Sequence, residues 1–342
     1  MHQLISQDSV FIIAEAGVNH NGSLDVARRL VEEAARAGAD CVKFQTFSAD
    51  KLAGRSAPKA AYQSERTGSA GSQYEMLKSL ELSEADHRVL MSYCQELDVV
   101  FLSSPFDEQS ADMLAELGVP AFKIPSGELT NHGFLRQVAG KNKPLIISTG
   151  MSTLGEVAEA IGAIEMTGNR QIYLLHCVTQ YPAPFDEINL RAMRTLARAF
   201  GYPVGYSDHS PGIEIAVAAV ALGAQIIEKH FTLSRDMPGP DHRASLEPEE
   251  LATMVDAIRN VERALGNGVK APAPCEMENI AVARKSLVAV RDISAGERIT
   301  EENVAIKRPG DGIQPKDLDK ALGLRAATDI AVDSVITWGH LK

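Results

Sequence analysis

The sequence predicts a (β/α)8 barrel, the TIM-barrel class of α/β folds, followed by a small C-terminal domain. Eight short β-branched runs alternate with helical stretches, the order that builds a parallel sheet covered by helices. The eight units occupy about 230 residues, the size of a closed barrel. Beyond Gly266 the alternation stops. A doubly wound open sheet is the second choice.

The runs are Val10–Glu15, Asp40–Gln45, Val99–Ser104, Ala121–Ser126, Leu145–Ser148, Ile172–His176, Val204–His209 and Gln225–His230. Their near-continuous apolar character is what strands buried on both faces require. Helical periodicity fills the gaps. Asp25 to Ala37 begins after Ser23, a suitable N-cap, and ends at Gly38, a suitable C-cap. Ser83 precedes Glu84, Ala85 and Asp86, and acids favour a first helical turn. Residues 154–166, 189–199, 213–222 and 247–264 have helical spacing as well.

Segment 48–75 is a long insertion after the second run, read as a lid or a dimer contact. Gly266-Asn267-Gly268 through Pro274 has linker composition. The chain therefore divides into a barrel at 1–265, a linker at 266–282 and a small domain at 283–342. The last part carries short strands at Ser286–Val290, Ala305–Lys307 and Val335–Trp338, with turns at 294–297 and 310–312. About 60 residues lie near the lower limit for an independent core, so this domain is expected to dock on something.

The 342 residues carry 34 Lys plus Arg against 45 Asp plus Glu, a net charge of −11. A cation deficit argues against nucleic acid, whose phosphates need surplus positive charge. It argues equally against an anionic membrane surface. A small anionic ligand in a locally cationic pocket stays open. Cys41, Cys94, Cys177 and Cys275 form no CxxC pair, which suits thiols in a reducing cytoplasm. The N-terminus has no basic region followed by an apolar run. The most apolar stretch, 215–227, is too short to span a bilayer. The reading is a cytoplasmic protein without membrane contact.

Each apolar run turns polar at its C-terminal end: Glu15, Lys43 with Gln45, Ser103 with Ser104, Lys123 with Ser126 and Glu128, Ser148 with Thr149, His176, Ser207 with Asp208 and His209, Glu228 with His230. In a barrel those ends meet on the face where active sites are built. Lys43 and Lys123 with Ser104, Ser126 and Ser148 would cradle a phosphate or carboxylate. Each lysine could equally form a structural ion pair with Glu15 or Glu128. No P-loop motif is present. His209 and His230 end adjacent runs, and period-2 alternation places Ser207 and Glu228 on the same face. The two imidazoles could share a divalent metal or simply hydrogen-bond. His20 reads at least as well as turn chemistry, and Asp241 could be a turn former in a rigid Pro-rich loop. Glu15, Glu128 and Asp241 are candidates for orienting hydroxyls or moving protons.

Several motifs together resemble the sialic acid synthase family. They include Ile12-Ile13-Ala14-Glu15-Ala16-Gly17-Val18-Asn19-His20-Asn21-Gly22, Val42-Lys43-Phe44-Gln45-Thr46-Phe47 and Phe122-Lys123-Ile124-Pro125-Ser126-Gly127-Glu128. Gly205-Tyr206-Ser207-Asp208-His209, Glu228-Lys229-His230-Phe231-Thr232 and Gly239-Pro240-Asp241-His242 continue the match. Lys307-Arg308-Pro309-Gly310-Asp311-Gly312 resembles the antifreeze-like (SAF) domain of these enzymes.

The resemblance implies a phosphoenolpyruvate-dependent transferase that condenses this compound with an N-acetylated hexosamine. His209 and His230 would hold Mn²⁺, with Mg²⁺ or Co²⁺ as alternatives. Lys43, Ser104, Lys123, Ser126, Ser148 and Ser207 would bind phosphoenolpyruvate. Glu15, Gln45, Tyr181 and Asp241 would contact the sugar, and Glu128 would transfer a proton or orient water. Arg308 would arrive from the partner subunit of a domain-swapped homodimer. Thr179 stands where some members carry Asn. The first expectation is N-acetylneuraminate synthesis from open-chain N-acetylmannosamine with release of phosphate by C–O cleavage. The alternative is a legionaminate synthase using 2,4-diacetamido-2,4,6-trideoxymannose. A rival from another class is a non-catalytic sugar-phosphate-binding protein.

Overall fold

The computed structural model describes residues 9–67 and 70–342. The chain forms two compact units, Met1–Gly266 and Asn267–Lys342. The first contains eight parallel strands: β1 (Phe11–Gly17), β2 (Cys41–Thr46), β3 (Val100–Pro105), β4 (Phe122–Ile124), β5 (Leu145–Ser148), β6 (Ile172–Cys177), β7 (Val204–Asp208) and β8 (Ile226–His230). Their order is β3-β2-β1-β8-β7-β6-β5-β4. Strands β3 and β4 lie side by side, so the sheet returns on itself as a barrel. That order excludes the open doubly wound sheet.

Local sequence accounts for the helices. Residues Leu24–Arg36 form a helix because Ser23 caps it, accepting from the Val26 amide. Its buried residues are Ala27, Leu30, Val31 and Ala34, one stripe at helical spacing. Burying a Leu or Val side chain there contributes about 1.5–3 kcal/mol. Ser83 and Asp86 form a reciprocal capping box on Glu84–Glu96, and Thr153 and Glu156 do the same on Leu154–Glu165. Pro248 opens the closing helix, Pro248–Leu265, at a position where no amide hydrogen is needed. Arg259 on that helix ties the base of the barrel together, donating to the Val10 carbonyl and pairing with Asp40 at 2.7 Å.

Strand alternation sorts side chains into two regions. Ile12, Ala14, Val42, Phe44, Leu145 and Ile147 point outward to the large core shared with the helices. Phe11, Ile13, Cys41, Leu102, Ala121, Ile146, Leu175 and Ile226 point inward and fill the lower barrel. Two residues further along each strand, on the same inward face, sits Glu15, Lys43, Ser104, Lys123, Ser148, Cys177, Ser207 or Glu228. Every strand thus adds one inward residue to a second layer, and that layer is polar.

The second unit contains an antiparallel pair, β9 (Ser286–Ala289) and β10 (Val304–Lys307). Leu287, Ala289, Ile293, Ile299, Ile313 and Ile336 lie in its own small core. The third predicted strand is reduced to one bridge, Val288 with Val335, and Trp338–His340 form a 3₁₀ turn instead. The predicted linker is also partly ordered. It carries a 3₁₀ turn at Pro274–Glu276 and a helix at Met277–Ala283.

Gly205 occupies the inward position of β7 level with Leu175 and Ile226. A Cβ there would stand 2.3 Å from the Ile226 carbonyl oxygen and 2.7 Å from Leu175 Cδ2. Backbone cannot yield to that contact, so Gly205→Ala is expected to cost about 1–3 kcal/mol, read as a lowered midpoint in thermal unfolding; an unchanged midpoint contradicts the layer geometry.

Candidate active site

A cavity of about 340 Å³ opens at the C-terminal ends of the strands. Its floor is the polar layer. Lys43 Nζ lies 2.6 Å from Glu15 Oε2, 3.7 Å from Glu228 Oε2 and 3.1 Å from Ser104 Oγ. Lys123 Nζ donates to Ser148 Oγ at 2.8 Å and lies 3.4 Å from Glu228 Oε1. Ser207 Oγ donates to the same Glu228 oxygen at 2.8 Å. Gln45 Nε2 donates to Glu15 Oε1 at 3.2 Å. Parallel register brings these partners together, since Glu15 faces Lys43 across β1–β2 and Ser207 faces Glu228 across β7–β8.

All four charged groups are buried. Burial disfavours the charged form of Lys43, but Glu15 and Glu228 outweigh it and hold that ammonium above its usual range. Burial lowers Lys123, and Glu228 offsets only part of the effect. Burial would raise Glu228, yet Lys123 and Lys43 bring it down to about 2. Glu15 goes the other way: burial, reinforced by the Glu228 charge, pushes it up to about 7 despite Lys43. With Glu15 protonated the cluster holds one surplus positive charge, which is what a bound anion needs.

His209 and His230 stand one layer higher. Their ring centroids are 5.3 Å apart, and the Tyr181 ring lies 4.1 Å from His209 and 5.5 Å from His230. Burial holds His209 at about 4 and His230 well below its usual range, so both are neutral imidazoles, the ligating form. His209 Nδ1 is fixed on the Val178 carbonyl oxygen at 2.6 Å, and His230 Nδ1 is buried without a hydrogen-bond partner. An oriented imidazole beside an unpartnered one fits a divalent cation. No group of three or more His, Cys, Asp or Glu could hold a metal among the described residues. Such an ion would draw its other ligands from substrate and water, the pattern of catalytic metal sites.

On the outer face of the same strands, Lys229 pairs with Asp208 at 2.7 Å, both fully buried. Lys229 Nζ also donates to the Ser210 carbonyl oxygen, while Asp208 Oδ1 accepts from Ser210 N and Oγ. This clamp fixes the backbone on both sides of His209 and just before His230.

Ser126 Oγ accepts from the Gly150 amide at 3.0 Å and stands 3.2 Å from Cys177 Sγ. Asp241 lines the cavity, and burial raises it to about 6. Its loop is held by Ser245 Oγ, which donates to the Asp241 carbonyl oxygen and accepts from Asn19 Nδ2. Glu15, Lys43, Gln45, Ser104, Lys123, Ser126, Ser148, Tyr181, Ser207, His209, His230 and Asp241 all line this cavity. Glu128 does not; it accepts from Asn131 Nδ2 in a 3₁₀ turn, Ser126–Glu128, and pairs with neither lysine. Arg308 belongs to the second unit, where its Nε donates to the Ala283 carbonyl oxygen. His20 is turn chemistry, with Nδ1 accepting from the Gly22 amide.

Sequence reasoning left Glu228 without a role, although it bridges both lysines. The signal was its two-residue offset from His230. Thr179 also lines the cavity with a buried, unpartnered hydroxyl. Segment 48–75 reaches the cavity too, through Leu52, Gln63 and Gln73.

Two buried lysines under a pair of buried histidines, at the mouth of a TIM barrel, make a site suited to an enzyme that acts on a small anion. The NeuB family model matches residues 30–270, and the SAF domain model matches residues 284–342. The chain belongs to the NeuB family of sialic and legionaminic acid synthases. It is 49% identical to the N,N'-diacetyllegionaminic acid synthase of Campylobacter jejuni, over 95% of this chain and 98% of that one. It is 47% identical to the synthase of the same name from Legionella pneumophila, over 98% and 96%. The crystal structure of N-acetylneuraminic acid synthetase from Leptospira borgpetersenii, in complex with citrate, superposes with a TM-score of 0.71. Identity there is 36%, covering 81% of this chain and 92% of that chain.

Removing one half of the buried clamp strands its partner. Lys229→Met is expected to cost about 3–5 kcal/mol, and the double change Asp208→Asn with Lys229→Met to recover most of it. Denaturant unfolding of the three proteins checks this; a double variant no more stable than the single one contradicts it.

Proposed function

We propose that this enzyme condenses phosphoenolpyruvate with 2,4-diacetamido-2,4,6-trideoxymannose to give a legionaminate-type nonulosonic acid. The observation that carries the condensation is the shared cavity of the Lys43–Glu15–Glu228–Lys123 cluster and the His209–His230 pair. The sugar is favoured by the two relatives named N,N'-diacetyllegionaminic acid synthases, which are more similar to this chain than the sialic acid synthetase is. N-acetylmannosamine is the second reading.

In this mechanism Lys43, Lys123 and the hydroxyls of Ser104, Ser126, Ser148 and Ser207 hold the phosphate and carboxylate of phosphoenolpyruvate. His209 and His230 would hold a divalent cation, Mn²⁺ in our reading, which would supply Lewis-acid polarisation of the sugar aldehyde. Carbon 3 of phosphoenolpyruvate attacks the aldehyde carbon, and positive charge grows at its carbon 2. Glu228 lies in the floor, where its carboxylate stabilises that charge. Water adds at carbon 2, and the resulting tetrahedral species loses phosphate by C–O cleavage. Glu15, at about 7, exchanges a proton near neutrality with the nascent sugar hydroxyl. Holding both substrates in one cavity removes much of the entropic cost of joining them. Arg308 reaches the N-acyl group from the partner in a swapped homodimer.

Phosphate release with phosphoenolpyruvate, Mn²⁺ and each sugar tests the reaction. Lys123→Met is expected to reduce kcat/KM for phosphoenolpyruvate by about 10²–10³-fold. A variant retaining wild-type turnover sinks the anion cradle. For the metal, EDTA is expected to abolish turnover and Mn²⁺ to restore it in wild type but not in His209→Ala. Activity indifferent to EDTA removes the metal role.

A further inference from the structure

The cavity has a second character that the condensation chemistry does not use. Val18, Leu52, Met76, Leu77, Leu80 and Phe106 line one side of it. Val18, Met76 and Leu80 belong to a packed apolar cluster with Phe47, and Leu52, Leu77 and Phe106 lie against it. This cluster is separate from the main core and from the barrel interior. Its residues come from the loops after β1, β2 and β3. It is therefore a preformed wall rather than a few stray apolar side chains.

Topology says which end of a substrate meets it. His209 directly follows β7 and His230 ends β8, and β8 is hydrogen-bonded to β1. Glu15 on β1 and Gln45 on β2 are joined by a hydrogen bond, and Asp241 lies in the loop after β8. A sugar with its aldehyde at the histidines and its hydroxyls on Glu15, Gln45 and Asp241 runs across the β8–β1–β2 side. Its distal end then reaches the loops after β1–β3. Beside the wall, Gln73 Nε2 donates to Gln63 Oε1, which also accepts from the Ala60 amide.

We propose that this wall selects a sugar whose distal end carries a methyl group where N-acetylmannosamine carries a hydroxyl. The proposal rests on the condensation reading above and adds the residues that choose the sugar. A hydroxyl pressed on the wall loses water and gains no partner, whereas a methyl loses nothing. Apolar pockets reject an added hydroxyl by about 10²-fold at most, so the wall gives a preference and not an absolute block.

The experiment is steady-state phosphate release with phosphoenolpyruvate, Mn²⁺ and either 2,4-diacetamido-2,4,6-trideoxymannose or N-acetylmannosamine. Wild type is expected to favour the diacetamido sugar in kcat/KM by about 10–100-fold. Met76→Gln keeps the side-chain length and adds an amide to the wall. Leu77→Gln does the same at a half-exposed position that tolerates a polar group. Each is expected to narrow the preference several-fold through the sugar KM, leaving the KM for phosphoenolpyruvate unchanged. An unaltered sugar ratio in Leu77→Gln with wild-type thermal stability overturns the proposal. So does a wild type that prefers N-acetylmannosamine, although the condensation reading then stands. No phosphate from either sugar overturns that reading and this one with it.

Discussion

The structure depends on one constraint: charges placed inside the barrel must be neutralised by neighbours in the same layer. Eight strands each contribute one inward residue at the level of Glu15, Lys43, Lys123 and Glu228. Below them lies a wholly apolar layer that offers no hydrogen bonds. Transferring an ammonium or carboxylate to such a place costs several kcal/mol unless partners compensate. The partners are supplied laterally, by register: Glu15 beside Lys43, and Ser207 beside Glu228. A one-residue slip would turn each set outward into the helix layer. Barrel closure and site assembly are therefore the same event.

That layer also decides the protonation states above it. The cluster keeps Glu228 ionised and Lys43 protonated while Glu15 sits near neutrality. The histidines one layer higher are desolvated and neutral. A single tripeptide in β8, Glu228-Lys229-His230, makes three different connections. Glu228 faces the lysines, Lys229 faces outward to Asp208, and His230 faces the cavity. Alternation alone explains this division. It makes the positions of the two imidazoles depend on a buried ion pair that never meets substrate.

The barrel was legible because each strand announced itself twice, by an apolar run and by the polar residue that ended it. The cavity lining was legible for the same reason, and Ser104, Ser148 and Ser207 lie where period-2 alternation places them. Legibility failed where strand periodicity ends. Glu128 follows β4 by way of Pro125, and the 3₁₀ turn after that proline takes its carboxylate out of the lining. No spacing rule in the sequence encodes that rotation. Glu228 was harder to read, because Lys43 and Lys123 lie on distant strands and come beside it only once the strands are laid around a circle. The small unit was harder still. Its strands are too short for a period to be counted, and half of its pairing is single bridges.

The cavity joins two kinds of surface with different origins. Its floor is set by strand register and cannot change without disturbing closure. Its apolar side comes from connecting segments, chiefly residues 52–80, which have their own small cluster and no part in the sheet. Loops tolerate sequence change far better than barrel layers do. Chemistry that requires fixed charges is thus carried by the rigid part, and discrimination between sugars can be altered in the connecting part at little cost to the fold. The same separation resolves the apparent conflict between a chain of net charge −11 and an anionic substrate. Overall charge is a property of the surface, while the floor's surplus of positive charge is fixed by a handful of buried neighbours shielded from that surface.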